Sequence, residues 1–277
     1  MNILYCGDEN IEKGLLISIL SLLKNVEEPI NIYVLTMKLK NEQKSYYPVS
    51  DNFINYLDNL VKKNNKDNFV RKIDITSLFL NDLPKANLDT RFTPYCMLRL
   101  FADEISELPD RILYLDNDVI CRKDCSEFYY QDITNDELVG VLDYYGKWFF
   151  RNNIFKMDYI NSGVLLLNLK KIKESNLFKK CRDMCKNKKM FMPDQTAINK
   201  LCTYKKIQPR QFNEQRKLHS DTIFQHFTTS FRFFPWVHTL TVKPWHVDRV
   251  HSKLKLHEYD DILERYQQEL KNYKTMY

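Results

Sequence analysis

The sequence predicts an α/β domain, Rossmann-like, built on one open and mostly parallel central sheet. Three observations carry that expectation. Runs such as "NILYC", "INIYVLT", "RILYLD", "ELVGVLD" and "YINSGVLLLNL" are apolar almost throughout, as strands buried on both faces are. Segments with apolar residues at helical spacing alternate with the earlier of these runs, which argues for helices on both faces of the sheet. The 277 residues, 44% hydrophobic and 28% charged, can bury a sizeable core in the manner of a soluble globular chain.

In chain order, "NILYC" reads as the first strand, "IEKGLLISILSLLKN" as an amphipathic helix and "INIYVLT" as the second strand, a β-α-β unit. "SDNFINYLDNLVKKN" is a second helix and "RKIDIT" a third strand. Thr93-Pro94 introduces "YCMLRLFADEISEL", a helix expected to end near Pro109. The strands "RILYLD", "ELVGVLD" and "YINSGVLLLNL" follow. At the C-terminus Tyr259, Ile262, Leu263, Tyr266, Leu270 and Tyr273 form one helical stripe. The division expected is a main domain over 1–250 and an amphipathic helical tail over 251–277. The stripe suits packing on the domain, packing on a partner subunit of a homo-oligomer, or peripheral docking on a membrane. Acidic residues on the polar face weaken the membrane reading.

Composition excludes several classes. The net charge of +6 comes from scattered Lys interspersed with Asp and Glu, a solvated pattern rather than a nucleic-acid-binding patch. "LLISILSLL" is too short to span a bilayer. Seven Cys, an odd number, with no secretory leader pattern ahead of them, suit a reducing, cytoplasmic location. Cys121/Cys125 and Cys181/Cys185 are each four apart, but the tighter C-x-x-C zinc knuckle is missing. Neither G-x-G-x-x-G nor a Walker pattern occurs, so a bound nucleotide would need its diphosphate neutralised by other means.

Ligands on open α/β sheets sit at the carboxyl ends of the strands. That rule places Asp8, Asp116, Asp118 and Asp143 on one rim. In "RILYLDNDVI" the strand runs into two carboxylates one residue apart, which converge on one side if the strand persists that far. Converged carboxylates repel unless a cation lies between them, and a hard divalent ion would relieve the repulsion. Asp-Asn-Asp is equally ordinary turn chemistry. Asp8 or Asn10 in "CGDEN" can cap the following helix, and Asp194 in "MPDQTAINK" can do the same for its own. Asn161-Ser162-Gly163 dents an apolar strand, and Gly163 suggests a bulge or a close approach to the backbone. His226, ending a short apolar run, reads as structural when taken alone. Paired with two carboxylates, its imidazole would favour Mn²⁺ over Ca²⁺. Trp245 reads as core.

Together, "LYLDNDVI", "YINSGVLLLNLKK", "PDQTAIN", "HF" and "KPWH" resemble, in order and over roughly residues 1–250, the retaining glycosyltransferases of family eight. The resemblance implies a GT-A fold, a UDP-hexose donor, a Mn²⁺ ion with Mg²⁺ as the substitute, and a glycan, glycolipid or glycoprotein acceptor. It carries the metal ligands onto Asp116, Asp118 and His226. Asp8 and Asn10 match positions near the uridine, and Arg99 an Arg at the donor sugar and phosphates. Asp143, Asn161, Ser162, Asp194 and Gln195 match the pocket of the transferred sugar, and Lys243 a diphosphate-binding Lys. Three positions depart from the pattern. Ile11 replaces an aromatic residue over the base, and Ser162 replaces Ala. A long segment, 227–242, separates His226 from Lys243, so either a longer loop delivers Lys243 or another cation such as Arg232 replaces it. The reaction implied is hexosyl transfer with an α-linked product, by same-face attack or through a nucleophile such as Asp194. An alternative is a haloacid-dehalogenase phosphatase, whose Asp-X-Asp usually continues into Gly-Thr on the first strand; here Val119-Ile120 follows in mid-chain. A non-catalytic sugar-nucleotide scaffold is the other.

Overall fold

The structure, a computed structural model, describes residues 1–40, 44–88, 94–146, 158–232, 236 and 238–277. The first half alternates as the periodicity predicts: β1 (Asn2–Cys6), α1 (Glu12–Asn25), β2 (Asn31–Thr36), the short pair β3 (Leu39–Lys40) and β4 (Ser45–Tyr46), α2 (Asp51–Asn64), β5 (Phe69–Asp74) and α3 (Thr76–Asn81). After a long 3₁₀ segment, Pro94–Glu104, come β6 (Arg111–Leu115), β7 (Val119–Cys121), α4 (Ser126–Tyr130), β8 (Leu138–Leu142) and β9 (Ile160–Asn168). Then follow α5 (Leu169–Ser175), α6 (Leu177–Asn187), α7 (Pro193–Leu201), β10 (Lys205–Gln208), β11 (Phe224–His226), β12 (Ser230–Arg232), β13 (His238–Leu240), α8 (Val247–Leu254) and α9 (Asp260–Met276).

Seven strands form the central sheet in the order β10-β8-β9-β6-β1-β2-β5. Only β9 runs against the rest, pairing antiparallel with both β6 and β8. The inner strands β8, β9, β6, β1 and β2 are largely apolar because both faces are covered, whereas the edge strands β5 and β10 carry charged residues such as Arg71, Lys72, Lys205 and Lys206. In β1, Ile3 and Tyr5 join one apolar cluster and Leu4 the other; in β6, Leu113 and Leu115 divide from Ile112 and Tyr114 in the same way. Helices α1, α2 and α9 supply the first cluster, and the 3₁₀ segment with α6 and α7 the second.

The predicted helix "YCMLRLFADEISEL" is instead a 3₁₀ run that ends at Glu104, before the expected stop. Runs of that length are uncommon. With three residues per turn, side chains at i and i+3 eclipse, which sets Arg99 over Cys96 and lets Nε–H donate to the Cys96 carbonyl at 3.0 Å. The four paired Cys cannot form one zinc site: Cys121 and Cys125 lie in one apolar cluster, Cys181 and Cys185 in the other, on opposite faces of the sheet. All seven thiols are free.

The C-terminal stripe packs on the chain's own domain. Tyr259, Ile262, Leu263 and Tyr266 are buried in the cluster that holds α1, and Leu270 and Tyr273 pack against it. Tyr273 meets Phe53 of α2 edge-on at 5.2 Å, and the Tyr56 hydroxyl donates to the Glu269 carbonyl at 2.8 Å. Each fully buried large apolar side chain contributes about 1.5–3 kcal/mol, enough for this packing to hold the helix on its own domain. Among the described residues no helix is long and apolar enough to cross a membrane.

Candidate active site

Strand direction assembles the site. Asp8 follows β1, Asp116 follows β6 and Asp143 follows β8, and these strands run the same way, so the carboxylates share one rim. Because β9 is antiparallel, its first residues, Asn161, Ser162 and Gly163, reach that rim as well.

The Asp-Asn-Asp stretch is a turn, as its composition allows, and its carboxylates nevertheless converge. Strand β6 stops at Leu115; Val119 N–H donates to the Asp116 carbonyl at 3.1 Å, and the chain re-enters a strand at Val119. Asn117 is accommodated by Gly14 of α1, where a Cβ would strike its amide and its carbonyl. Strand β11 pairs antiparallel with β7, which sets His226 opposite Val119 and brings its ring over the turn. Nε2 of His226 lies 3.1 Å from Asp118 Oδ1 and 3.6 Å from Asp116 Oδ2. Gly163 is the close approach that the sequence suggested: a Cβ there would collide with the His226 ring and lie 2.9 Å from Asp116 Oδ2. Asp116, Asp118 and His226 thus present two carboxylates and an imidazole within 4.8 Å of one another. That O,O,N donor set fits Mn²⁺ or a similar divalent ion; Nδ1 of His226 is buried without a partner, so among polar contacts the ring is fixed from its Nε2 side, by the Asp116 and Asp118 carboxylates.

Lys243 reaches this cluster. Its Nζ pairs with Asp118 Oδ2 and donates to the Phe227 carbonyl at 3.0 Å. The long segment is therefore accommodated as an excursion, β12 paired with β13, that leaves after Phe227 and returns in time to deliver Lys243. The Arg232 side chain, named above as the substitute cation, lies outside the described residues. Burial pushes the Asp118 carboxyl up, but Lys243 and then His226 outweigh it and hold the group well below the usual carboxylate range.

A continuous polar network joins the Asp116, Asp118 and His226 cluster to Arg99, Ser162, Asp194, Gln195, Asn161 and Asp143. Arg99, 4% exposed, donates from Nη2 to Asp116 Oδ1 at 3.0 Å and from Nη1 to the Ser162 carbonyl. Its Nε lies 3.4 Å from Asp194 Oδ2. The Ser162 hydroxyl donates to Asp194 at 3.2 Å, which gives the serine at this departure from the family pattern a partner. Gln195 Oε1 accepts from Ser162 N–H at 2.9 Å, and its Nε2 donates to Asp143 Oδ2 at 3.2 Å. Asn161 donates to the same oxygen at 2.9 Å. Burial raises the Asp194 carboxyl above its usual range, with Arg99 opposing and Asp116 adding to the rise. Asp194 is not an N-cap, since Met192 occupies that position and Asp194 lies inside the first turn of α7.

Asp8 and Asn10 stand on the rim without a described bond to this network. Asp8 caps the 3₁₀ turn Glu9–Ile11 rather than α1 itself, whose N-cap is Ile11: Oδ1 accepts from Asn10 N–H at 3.1 Å and Oδ2 from the Asn10 side chain at 2.9 Å. A carboxylate has lone pairs left for a further donor. Ile11 folds back over Gly7, where a Cβ would overlap it.

Two participants escaped sequence reasoning. The Tyr114 hydroxyl donates to Asp116 Oδ1 at 2.6 Å, and the Arg99 guanidinium lies 3.9 Å over its ring. The i, i+2 spacing of Tyr114 and Asp116 was a usable signal. Asn213 donates to Asn161 Oδ1 at 3.0 Å, and no local pattern marks it.

This architecture is shared with solved glycosyltransferases of the GT-A fold. The galactosyltransferase LgtC, solved in complex with donor and acceptor sugar analogs, superposes with a TM-score of 0.68 at 20% identity, over 97% of this chain and 95% of that one. Among sequence relatives, the lipopolysaccharide 1,2-glucosyltransferase of Escherichia coli is 26% identical over 272 residues, 88% of this chain and 73% of that protein. A Haemophilus influenzae relative is 29% identical over 218 residues, and there the chain spans 59% of the relative's length. The class is therefore that of the GT-A glycosyltransferases. A family model described as glycosyl transferase family 8 matches residues 2–249, and the chain belongs to that family.

Proposed function

We propose that the enzyme transfers glucose or galactose from a UDP-sugar to a glycan, glycolipid or glycoprotein acceptor, retaining configuration to form an α-linkage. The observation that carries this reading is the junction at Asp116, whose two oxygens face the His226 side of the metal cluster and the Arg99 side of the sugar pocket. Asp116, Asp118 and His226 are the proposed holders of Mn²⁺, with Mg²⁺ as the substitute. When bound, the ion supplies Lewis-acid stabilisation of a diphosphate leaving group.

The chain's own groups divide the remaining work. Lys243 brings a positive charge to the place where negative charge grows on the β-phosphate, which lowers the barrier only as the C1–O bond breaks. Arg99 spends its described donors on protein partners, so it acts by holding Asp116 and Asp194 in place. Asp143, Asn161 and Gln195 present a fixed set of donors and acceptors for sugar hydroxyls. Asp194, 4% exposed and engaged by Arg99 and Ser162, is poorly placed as a nucleophile, which supports same-face attack with the departing diphosphate assisting deprotonation. Asp8 is the proposed reader of the uracil imide N–H. A cavity of about 470 Å³ whose lining includes Tyr144, Asn213, Gln215 and Arg216 gives room for an acceptor beside Asp143. Seven free thiols support a cytoplasmic setting.

Release of UDP from UDP-glucose and UDP-galactose, with and without Mn²⁺, tests the reading. A phosphatase would release inorganic phosphate, and a scaffold would release nothing. A β-linked first product in an NMR time course, or turnover indifferent to Mn²⁺ and Mg²⁺, would overturn it.

A further inference from the structure

A second cluster of metal-ligating side chains lies away from the sugar-nucleotide site, where α8 gives way to α9. His251 is on the last turns of α8, His257 in the link that follows, and Asp260 is the first residue of α9. The two imidazoles lie nearly parallel, centroids 4.6 Å apart and planes 14° from each other. Both aim a nitrogen at the same carboxylate: Nε2 of His251 is 2.7 Å from Asp260 Oδ1, and Nδ1 of His257 is 3.1 Å from Asp260 Oδ2. The link is held in register by Lys255, which adopts the left-handed conformation and donates its N–H to the His251 and Val250 carbonyls. One potential ligand atom from each of the three residues falls within 4.8 Å of the others.

From this geometry we propose that His251, His257 and Asp260 form a zinc-class transition-metal site that ties the end of α8 to the start of α9. Two imidazole nitrogens with one carboxylate suit Zn²⁺ and its neighbours rather than Mg²⁺ or Ca²⁺. Tetrahedral zinc with bonds of about 2.0–2.2 Å sets its ligand atoms roughly 3.4 Å apart. The observed imidazole–carboxylate separations, 2.7 and 3.1 Å, are already close to that value, and the exposed His257 ring has to turn out of its stack on His251 so that both nitrogens face one ion as it replaces the hydrogen-bonding protons. Three protein ligands leave the fourth position to water. The site joins two elements already packed together, because Val250 of α8 and Ile262, Leu263 and Tyr266 of α9 are buried in one cluster. Metal binding there stabilises the docked tail helix. His257 is 65% exposed at its side chain, so the ion has an entry path and the residue can be replaced without disturbing the core.

The test is a zinc titration of the full chain against a chromogenic chelator, in the wild type, His257→Ala, Asp260→Asn and His226→Ala. Wild type and His226→Ala should both hold a zinc ion at micromolar or lower free Zn²⁺, while His257→Ala and Asp260→Asn should bind it at least tenfold more weakly at that site. Zinc should raise the melting temperature of His226→Ala but not of the double variant His226→Ala, His257→Ala. Unchanged zinc affinity in the double variant His226→Ala, His257→Ala relative to His226→Ala, or zinc binding abolished by His226→Ala alone, would overturn the proposal. Binding seen only at millimolar zinc, as any exposed imidazole shows, would overturn it as well.

Discussion

Replacing Gly163 with Ala probes how the metal cluster is held. Adding a methyl to a glycine inside a buried strand ordinarily stabilises it slightly, because glycine there costs roughly 0.5–1 kcal/mol relative to alanine. At this position the new Cβ would lie 2.6 Å from Nδ1 of His226, 0.8 Å short of the 3.4 Å at which ordinary contact begins, and closer still to Cε1. The ring cannot stay. Overpacking of that kind costs about 1–3 kcal/mol. Cε1, at 2.1 Å, is about 1.3 Å short of ordinary contact, and a displacement of that size exceeds the roughly 0.2 Å within which a ligand atom keeps its bond to a metal. The expected outcome is a folded protein, less stable by about 1–3 kcal/mol, whose Mn²⁺ affinity falls by about the 10–100-fold typical of losing a ligand's orientation. Electron paramagnetic resonance of free Mn²⁺ gives the affinity, and UDP release against Mn²⁺ concentration gives its effect on turnover. Wild-type Mn²⁺ affinity in Gly163→Ala would refute the claim that this glycine exists to admit the imidazole. Full Mn²⁺-dependent turnover in Asp118→Ala would refute the cluster itself.

Other expectations follow from the same geometry. His226→Ala should weaken Mn²⁺ binding more than UDP binding measured at saturating metal; an unchanged metal affinity would make the residue purely structural. Asp8→Ala should lower affinity for UDP-sugars and narrow their advantage over CDP-sugars, since cytosine offers no ring N–H to a buried acceptor. Equal use of CDP-sugars by the wild type would remove Asp8 from nucleotide choice. Burial pushes the Cys185 thiol up to about 12 and the Cys181 thiol well above the ordinary value, and the hydrogen bond with Cys125, together with burial, raises Cys121 well above it too. Ellman's reagent at pH 8 should therefore react slowly with the native protein and promptly with seven thiols after unfolding, and rapid native reaction of these three would contradict their burial.

Much of this protein is legible without coordinates, for local reasons. Apolar runs of strand length with alternating helices dictate a covered sheet, because a strand apolar on both sides has nowhere else to go. The direction of the early strands places Asp8, Asp116 and Asp143 on one rim, because a parallel sheet puts every carboxyl end on the same edge. The ordered motifs from "LYLDNDVI" to "KPWH" point to the family that the chain proves to belong to. What no local pattern contains is how distant segments meet. Only the antiparallel course of β9 brings Asn161, Ser162 and Gly163 to the rim, since in a parallel strand the same residues would begin at the opposite edge. Only the pairing of β11 with β7 carries His226 to the Asp116 turn across more than a hundred residues. The strand-end geometry expected for Asp116 and Asp118 gave way to a turn because backbone bonding to β9 ends at Asp116, whose N–H is taken by the Gly163 carbonyl at 2.8 Å. The C-terminal stripe, readable as amphipathic from its spacing, could not name its partner. That choice fell to Phe53, Tyr56 and α1, whose apolar surface faces the helix and buries more of it than solvent contact would allow.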